Sequence, residues 1–204
     1  MRTDLARQRK RWTYEEYYRS TAEGDWFEFI DGAYVGAERS KLTIHQEWSR
    51  EIARLLNNPA INVLGELYFG PLDIAFNAEN VVQPDLLFVT NSRKSIIEDR
   101  AIFGSPDIMI EIVSPVTLVM DRYRKPELYA RFAVPEYWIV DPGQSSIEIL
   151  ALESGKYRLH SFAAEEGQLQ SQVLAFQFDV SDVILKAFEQ RFFFALNALP
   201  IALA

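Results

Sequence analysis

The sequence contains no cysteine and only two histidines, His45 and His160. Without cysteine the chain has no disulfide bond, no thiolate metal ligand and no cysteine nucleophile. Two histidines also exclude a histidine-rich metal site. Carboxylates are therefore the side chains to examine for metal binding, and all-oxygen ligands suit Mg²⁺ or Mn²⁺.

Long apolar runs are also missing, and no stretch is long enough to span a membrane. The basic N-terminus is not followed by an apolar segment, so it does not read as a signal peptide. The tail FFFALNALPIALA (192–204) comes nearest, but it is short and contains Pro200. We expect this tail to be a core or dimer-contact segment. We expect a cytoplasmic protein without membrane association, and the absence of cysteine fits that compartment.

The chain has little basic charge, with 21 Lys and Arg against 29 Asp and Glu and a net charge of −8. Proteins that bind nucleic acid through phosphates usually carry a basic face. The charge balance therefore argues against tight non-specific DNA binding, and DNA recognition would need a local basic surface. The N-terminal arm, residues 1–12, is either a solvated segment or a phosphate-contacting one. Its basic residues are Arg2, Arg7, Arg9, Lys10 and Arg11.

The remaining 13–204 are long enough for a single domain with a substantial core. Thr13 and Glu16 have the spacing of a capping box, which predicts a helix start. Asp31-Gly32 predicts a hairpin turn between two strands. Apolar residues at helical spacing predict a helix over 42–57. The predicted strands are 25–30, 33–38, 62–69, 71–77, 81–90, 107–114, 136–141, 146–152, 157–163 and 173–180.

The connections predict less regular structure. Residues 91–104 form a polar connection with one helical turn near 96–99. Residues 117–132 should be mainly helical, but Pro126 should bias Lys125 away from helical geometry and delay the continuous helix. Ser181 should cap a C-terminal helix. This order of elements indicates an α+β or mixed α/β fold built on one central sheet.

Candidate chemistry lies on the predicted strands 81–90 and 107–114. Asp85 follows a proline near a strand, and Glu111 lies between Ile110 and Ile112. A charged residue inside an apolar strand is costly unless it is paired or binds a metal. Asp85 and Glu111 on adjacent strands, with Lys125 downstream, predict a divalent-metal site for phosphodiester hydrolysis.

Each of these residues also has a plain structural interpretation. Asp85 could be solvated at a strand end, Glu111 could be paired with an arginine, and Lys125 could be a surface lysine. Three further residues are candidates for supporting roles. His45 could hydrogen-bond a carboxylate or a phosphate, Asp73 could point to the site or to solvent, and Asp121 could pair with Lys125. These supporting candidates are His45, Asp73 and Asp121.

The chain resembles the Uma-two family of restriction-endonuclease-like proteins, over roughly residues 13 to 185. The short motifs are individually unremarkable, but their order and spacing are specific. They are Tyr14-Glu15-Glu16-Tyr17, 27–32 (FEFIDG), His45, 83–89 (QPDLLFV), 104–107 (GSPD), 111–115 (EIVSP), Asp121, Lys125, Tyr129 and 134–142 (VPEYWIVDP).

This resemblance implies the fold of the PD-(D/E)xK nuclease superfamily, a central mixed sheet flanked by helices, here preceded by antiparallel strands. It implies metal-dependent cleavage of DNA. Carried over by position, Asp85 and Glu111 are the metal carboxylates, Glu28 is an acid from the N-terminal region, and Lys125 is the lysine. The implied cofactor is Mg²⁺ or Mn²⁺.

The sequence departs from the superfamily pattern at the lysine. The usual position, two residues after the glutamate, is Val113, so catalysis would depend on Lys125 reaching in from the next segment. Ala33 stands where many relatives carry an acid. The rival interpretation is therefore a catalytically silent protein that keeps the fold as a dimerising or interaction module. RNA is a weaker alternative substrate, and a homodimer is expected because two sites suit the cutting of two strands.

Overall fold

A computed structural model describes residues 11–20, 27–36, 42–184 and 187. Most of the predicted basic arm and the apolar tail lie outside these residues. In the first part of the chain the elements are α1 (Tyr14–Ser20), β1 (Glu28–Ile30), β2 (Ala33–Gly36), α2 (Thr43–Leu56), α3 (Pro59–Asn62), β3 (Gly65–Phe69), β4 (Ile74–Asn77) and β5 (Asn80–Val82). They are followed by β6 (Leu86–Thr90), a 3₁₀ turn (Asn91–Ile96), β7 (Ile102–Phe103) and β8 (Ile108–Ile112).

The second part begins with a helical segment. A π-helical turn (Met120–Arg124) leads directly into α4 (Lys125–Arg131). The strands that follow are β9 (Glu136–Asp141), β10 (Ser146–Glu153), β11 (Lys156–Ala164), β12 (Gln168–Ser171) and β13 (Phe176–Asp179). No helix in the described part of the chain is long and apolar enough to cross a membrane.

A six-stranded mixed sheet forms the centre, in the order β11-β10-β9-β8-β6-β3. Strands β8 and β9 are parallel, and the other neighbours are antiparallel. Helix α2 packs one face through the buried side chains of Trp48, Ile52 and Leu56. Helix α4 packs the other face through Leu128 and Tyr129. The predicted mixed sheet flanked by helices is confirmed.

Beside the central sheet lies a second sheet of five strands, in the order β2-β1-β5-β4-β7. The strand predicted over 81–90 is divided between the two sheets, with β5 in the smaller and β6 in the central sheet. The reason lies at the junction. Pro84 has no backbone N–H to donate to a strand, and the N–H of Gln83 donates to the Glu28 carboxylate at 2.9 Å.

The N-terminal predictions are confirmed within the described residues. The Thr13 backbone N–H donates to Glu16 Oε2 at 3.1 Å, and the Glu16 N–H donates to Thr13 Oγ1 at 3.3 Å, which is the predicted capping box. The hairpin turns at Asp31 and Gly32, both with positive φ. Strand β1 begins at Glu28, and the remaining parts of the two predicted strands, 25–26 and 37–38, lie outside the described residues.

The helix predicted over 42–57 is confirmed as α2, but α3 was not predicted. The Asn58 side chain accepts hydrogen bonds from the N–H groups of Ala60 and Ile61. Asn58 thus caps a new helical turn immediately after α2, where the sequence indicated only a helix end. The helical turn predicted near 96–99 is also misplaced, since the 3₁₀ turn ends at Ile96 and β7 follows.

The expected effect of Pro126 is wrong. Lys125 has helical φ and ψ of −64° and −41°, and the helical path is continuous from the π-turn into α4. Its N–H donates to the Met120 carbonyl, five residues earlier. Proline is tolerated in the first turn of a helix. The π-turn places Pro126 at the start of α4, so the backbone accommodates it and Lys125 stays helical.

The C-terminal hairpins around β9, β10 and β11 are confirmed, while β12 was missed. Its partner β13 is the predicted last strand, shortened to Phe176–Asp179. Helical residues begin at 181, but the cap differs from the prediction. Asp179 Oδ1 accepts from the N–H of Ser181 at 2.9 Å and from its hydroxyl at 2.6 Å, so this carboxylate organises the turn.

Candidate active site

Lys125 lies at the centre of a buried cluster of acids. Its Nζ is 2.9 Å from Glu111 Oε1, 3.2 Å from Glu28 Oε1 and 3.4 Å from Asp121 Oδ1. Glu111 comes from β8, Glu28 from the start of β1, and Asp121 from the π-turn. Three separate elements, including one strand of the six-stranded sheet and one of the five-stranded sheet, therefore bring carboxylates to one amine.

Asp85 adjoins this cluster and directly precedes the first residue of β6. Leu86 is paired with Ile110 in the antiparallel ladder, so continuing the register places Asp85 opposite Glu111. Asp85 Oδ2 accepts from the Ile112 N–H at 2.8 Å and lies 3.1 Å from His45 Nε2. These contacts fix the carboxylate beside Glu111, as the sequence predicted, and they confirm that His45 hydrogen-bonds an acid.

The amine of this cluster comes from Lys125 and not from the position two residues after Glu111. Val113 is buried among apolar side chains below α4, and its N–H donates to the Val140 carbonyl at 2.8 Å. Lys125 instead reaches the carboxylates from the first residue of α4. The π-turn keeps Lys125 in helical geometry, and this geometry directs its amine towards the carboxylates.

Two tyrosines complete the surroundings, and sequence reasoning gave them no role. Tyr129 is fully buried and donates its hydroxyl to Glu111 Oε1 at 2.7 Å. Tyr137 donates to the backbone carbonyl of Asp121 at 2.7 Å. The four-residue spacing of Lys125 and Tyr129 is a signal for the first of them, because residues four apart share one helix face.

Asp73 does not join the cluster. Its Oδ1 accepts from Gln83 Nε2 at 2.6 Å and lies 3.5 Å from the Tyr17 hydroxyl. Gln83 in turn donates its backbone N–H to Glu28. Asp73 is therefore one step removed from the acids around Lys125 and supports the segment that holds Glu28.

The electrostatics of the cluster favour bound positive charge. Burial raises the pKa of Glu111 well above its usual value, opposed by Lys125 and reinforced by Asp121, Asp85 and Glu28. Burial likewise raises the pKa of Asp121. Burial alone would lower the pKa of Lys125, but the surrounding carboxylates raise it well above its usual value.

Asp85 differs from its neighbours. Burial would raise its pKa, but hydrogen bonds from His45 and the Ile112 N–H, together with Lys125, hold that pKa below its usual value. Asp85 is thus kept ionised beside Glu111. The side chains of Asp85 and Glu28 are also the more accessible ones, at 16% and 13% exposure against 3% for Glu111. Solvent therefore reaches the cluster mainly at Asp85 and Glu28.

The donor set fits a hard divalent cation. Glu28, Asp85, Glu111 and Asp121 supply four carboxylates against the single ammonium of Lys125, in a largely buried space. The part of the chain that the structure describes holds no set of three or more His, Asp or Glu side chains arranged to hold an ion by themselves. Mg²⁺ is commonly held by only one or two carboxylates, with waters and substrate phosphate completing its shell.

Comparison with known proteins places the fold and the family. A crystal structure of a putative nuclease belonging to DUF820 from Anabaena variabilis superimposes with a TM-score of 0.69 at 16% sequence identity, over 86% of this chain and 98% of that one. The fold is therefore a restriction-endonuclease-like mixed α/β fold. A search of curated proteins gave no match. The sequence profile of the Uma2 family, described as putative restriction endonuclease, matches residues 14–182, and the chain belongs to this family.

Proposed function

We propose that this protein is a metal-dependent endonuclease that hydrolyses phosphodiester bonds of DNA. The family and the similar solved structure support a nuclease. The observation that carries the finer proposal is the position of Lys125 Nζ within 3.4 Å of three carboxylates, next to the ionised Asp85. This arrangement combines excess negative charge with one positioned amine.

In the proposed site Asp85 and Glu111 hold Mg²⁺ or Mn²⁺. When bound, the ion would activate water and neutralise charge on the phosphate and the leaving oxygen. Glu111 is oriented for this role by the Tyr129 hydroxyl and by Lys125. Asp85 is oriented by His45 and the Ile112 N–H. Such outer contacts fix the direction of ligand oxygens before an ion arrives.

Lys125 acts as a donor in this proposal. Because its pKa is raised well above the usual value, it is an ammonium at neutral pH and cannot accept the proton of the attacking water. It can donate a hydrogen bond to that water or to a phosphate oxygen. The proton then passes to a carboxylate, and Asp121, whose pKa is raised by burial, is a suitable acceptor.

A second candidate function is a catalytically silent nuclease-fold protein that acts as a dimerising or interaction module. The observation in its favour is that Lys125 already pairs with three acids and so partly neutralises the cluster. The net charge of −8 points the same way. In either case we propose a cytoplasmic homodimer, which light scattering after size exclusion would test.

Calorimetric titration with Mg²⁺ and Mn²⁺, on wild type and on Glu111→Gln in the same buffer, separates the two functions. We expect wild-type binding that disappears in the variant, together with cleavage of plasmid or oligonucleotide DNA by the wild type alone. If metal is added in the presence of DNA and neither binding nor cleavage follows, the silent module is the correct function.

A further inference from the structure

A groove of about 860 Å³ runs between α2 and β3, at one edge of the central sheet. We call it the α2–β3 groove. Helix α2 contributes mainly polar and basic side chains to one wall. Strand β3 lines the other wall from Gly65 to Phe69, and its one acid, Glu66, is paired with Lys94. Its lining includes Ser49, Arg50, Arg54, Leu67 and Phe69.

Both walls of the groove lead to Asp85. Helix α2 starts near His45, which contacts Asp85 Oδ2, and Ser49 one turn later donates to the His45 carbonyl at 2.9 Å. Strand β3 runs back towards the same point and ends at Phe69, and the N–H of Gly70 donates to the Asp85 carbonyl at 2.8 Å. A chain lying in the groove would therefore arrive beside the more accessible carboxylates of the cluster.

The basic wall is pre-oriented by a buried acid. Glu51 is 2% exposed and accepts from Arg50 Nε at 3.1 Å and from Arg54 Nε at 2.8 Å. The two arginine side chains are 48% and 46% exposed. A buried carboxylate that holds each arginine by its Nε restricts the motion of the guanidinium group. Phosphate binding gains from such fixed planar donors.

The opposite wall offers an aromatic surface. Leu67 and Phe69 are on the sheet face that α2 covers, because they pair with Phe88 and Leu86 of that core. Phe69 is 57% exposed and lies next to Gly70 and Asp85. An exposed aromatic ring beside arginines is the combination found in sites for single-stranded nucleic acid, where bases stack and cations track the backbone.

We propose that the α2–β3 groove binds a single-stranded stretch of the nucleic-acid chain that leads to Asp85. Arg50 and Arg54 contact its phosphates, and Phe69 stacks on a base near the cluster. This inference rests on the proposed nuclease function for its choice of ligand. The net charge of the chain is −8, and DNA recognition therefore needs a local basic surface, which Arg50 and Arg54 supply.

Binding is measured by fluorescence anisotropy with a labelled oligothymidylate, in metal-free buffer so that no cleavage occurs, over a series of salt concentrations. We expect Arg50→Gln and Arg54→Gln each to weaken binding and to reduce the slope of log K against log salt by about 0.7, the single-strand value for one phosphate contact. Phe69→Ala should weaken binding by about tenfold.

Arg158→Gln is the matched control. Arg158 is exposed on β11, at the other edge of the same sheet, so this variant makes the same charge change away from the groove. Its affinity and salt slope should equal those of the wild type. An equal loss in Arg158→Gln would show that general charge, and not the groove, drives binding and would overturn the proposal.

Glu51→Gln tests whether Glu51 acts by orienting Arg50 and Arg54 or only through its negative charge. Loss of a negative charge next to two arginines should tighten binding if only charge matters. If Glu51 holds the arginines in position, binding should weaken despite the more favourable charge. Weaker binding supports the positioning role of Glu51, and tighter binding excludes it.

The groove and the nuclease proposals fail separately. If the wild type binds Mg²⁺ but does not bind oligothymidylate, or binds it independently of Arg50 and Arg54, only the groove proposal is wrong. If the protein binds the oligonucleotide through these arginines but binds no metal and cleaves no DNA, the groove proposal stands and the nuclease proposal is wrong.

Discussion

Two glutamates are buried on neighbouring strands of the central sheet, and their surroundings are opposite in kind. Glu136 of β9 is held by neutral donors: Trp138 Nε1 at 2.6 Å, Ser171 Oγ at 2.7 Å, and the N–H groups of Gln172 and Val173. Glu111 of β8 instead meets an ammonium, a tyrosine hydroxyl and the charges of three other acids.

Under the proposed function, this contrast separates the structural acid Glu136 from the acids of the metal site. The Glu136 carboxylate ties β9 to the segment after β12, and its negative charge is spread over four hydrogen bonds. Around Glu111, burial and the neighbouring acids make ionisation of each carboxyl group less favourable. The positive charge of Lys125 offsets this effect only in part. Buried groups that lower stability and do not hold structural elements together are typical of a functional site.

The largest effect is expected from Glu136→Ala, which should lower the free energy of unfolding by about 4 kcal/mol, because several buried donors lose their acceptor and each costs roughly 1–3 kcal/mol. Urea denaturation measures this loss. Mg²⁺ affinity of the folded protein should not change. A Glu136→Ala protein as stable as the wild type would mean that Glu136 is not the structural member of the pair.

Glu111→Gln should have the reverse profile. We expect metal affinity and DNA cleavage to fall by at least about 100-fold, since loss of even an outer contact of a metal site costs 10–100-fold. The circular dichroism spectrum should stay native. An active Glu111→Gln enzyme would remove this residue from the site.

Tyr129→Phe sharpens the comparison by removing one hydrogen bond to Glu111 while keeping the ring in the core. We expect a loss of about tenfold in metal affinity and activity. Tyr137→Phe is the control, because the Tyr137 hydroxyl donates to the backbone carbonyl of Asp121 and not to the Glu111 carboxylate. Equal losses in both variants would argue for a general packing effect.

Asp121→Asn should produce the smallest change in the free energy of unfolding and one of opposite sign, a gain of about 1 kcal/mol in the metal-free protein. The folded pKa of Asp121 is raised by burial, so its contribution to stability is present below the usual carboxyl pKa and is lost as pH rises. The gain should therefore be small near pH 4 and grow towards neutrality. Thermal unfolding at several pH values measures it, and a gain independent of pH would contradict ionisation of the buried Asp121 as its cause.

Much of this arrangement could be predicted from the sequence. The apolar neighbours of Glu111 indicated a buried charge, and the four-residue spacing of Asp121 and Lys125 allowed them to pair if they shared a helical turn. The predicted proximity of Asp85 and Glu111 followed from adjacent strands. The position of Glu28 in the cluster was predicted from family resemblance alone. Its contacts with Lys125 and with the Gln83 N–H join segments that are far apart in the sequence.

Other features depend on contacts that a local pattern does not contain. The break in the strand predicted over 81–90 depends on a hydrogen bond between Gln83 and Glu28, 55 residues apart. The π-turn that keeps Lys125 helical overrides the local preference before proline. Glu136 reads as an ordinary polar strand residue, since its partners at 171–173 come from a strand connection that the sequence did not predict.

The most direct test of the central claim is the shift in melting temperature caused by Mg²⁺ in wild type, Glu111→Gln and Glu136→Gln. An ion that binds only the folded state raises the melting temperature, and at a fixed ion concentration a tighter ion raises it further, because the stabilisation grows with the logarithm of the ratio of ion concentration to Kd. We predict a clear rise for wild type and Glu136→Gln and none for Glu111→Gln. A rise in Glu111→Gln equal to that of the wild type would contradict the assignment of the metal to the acids around Lys125.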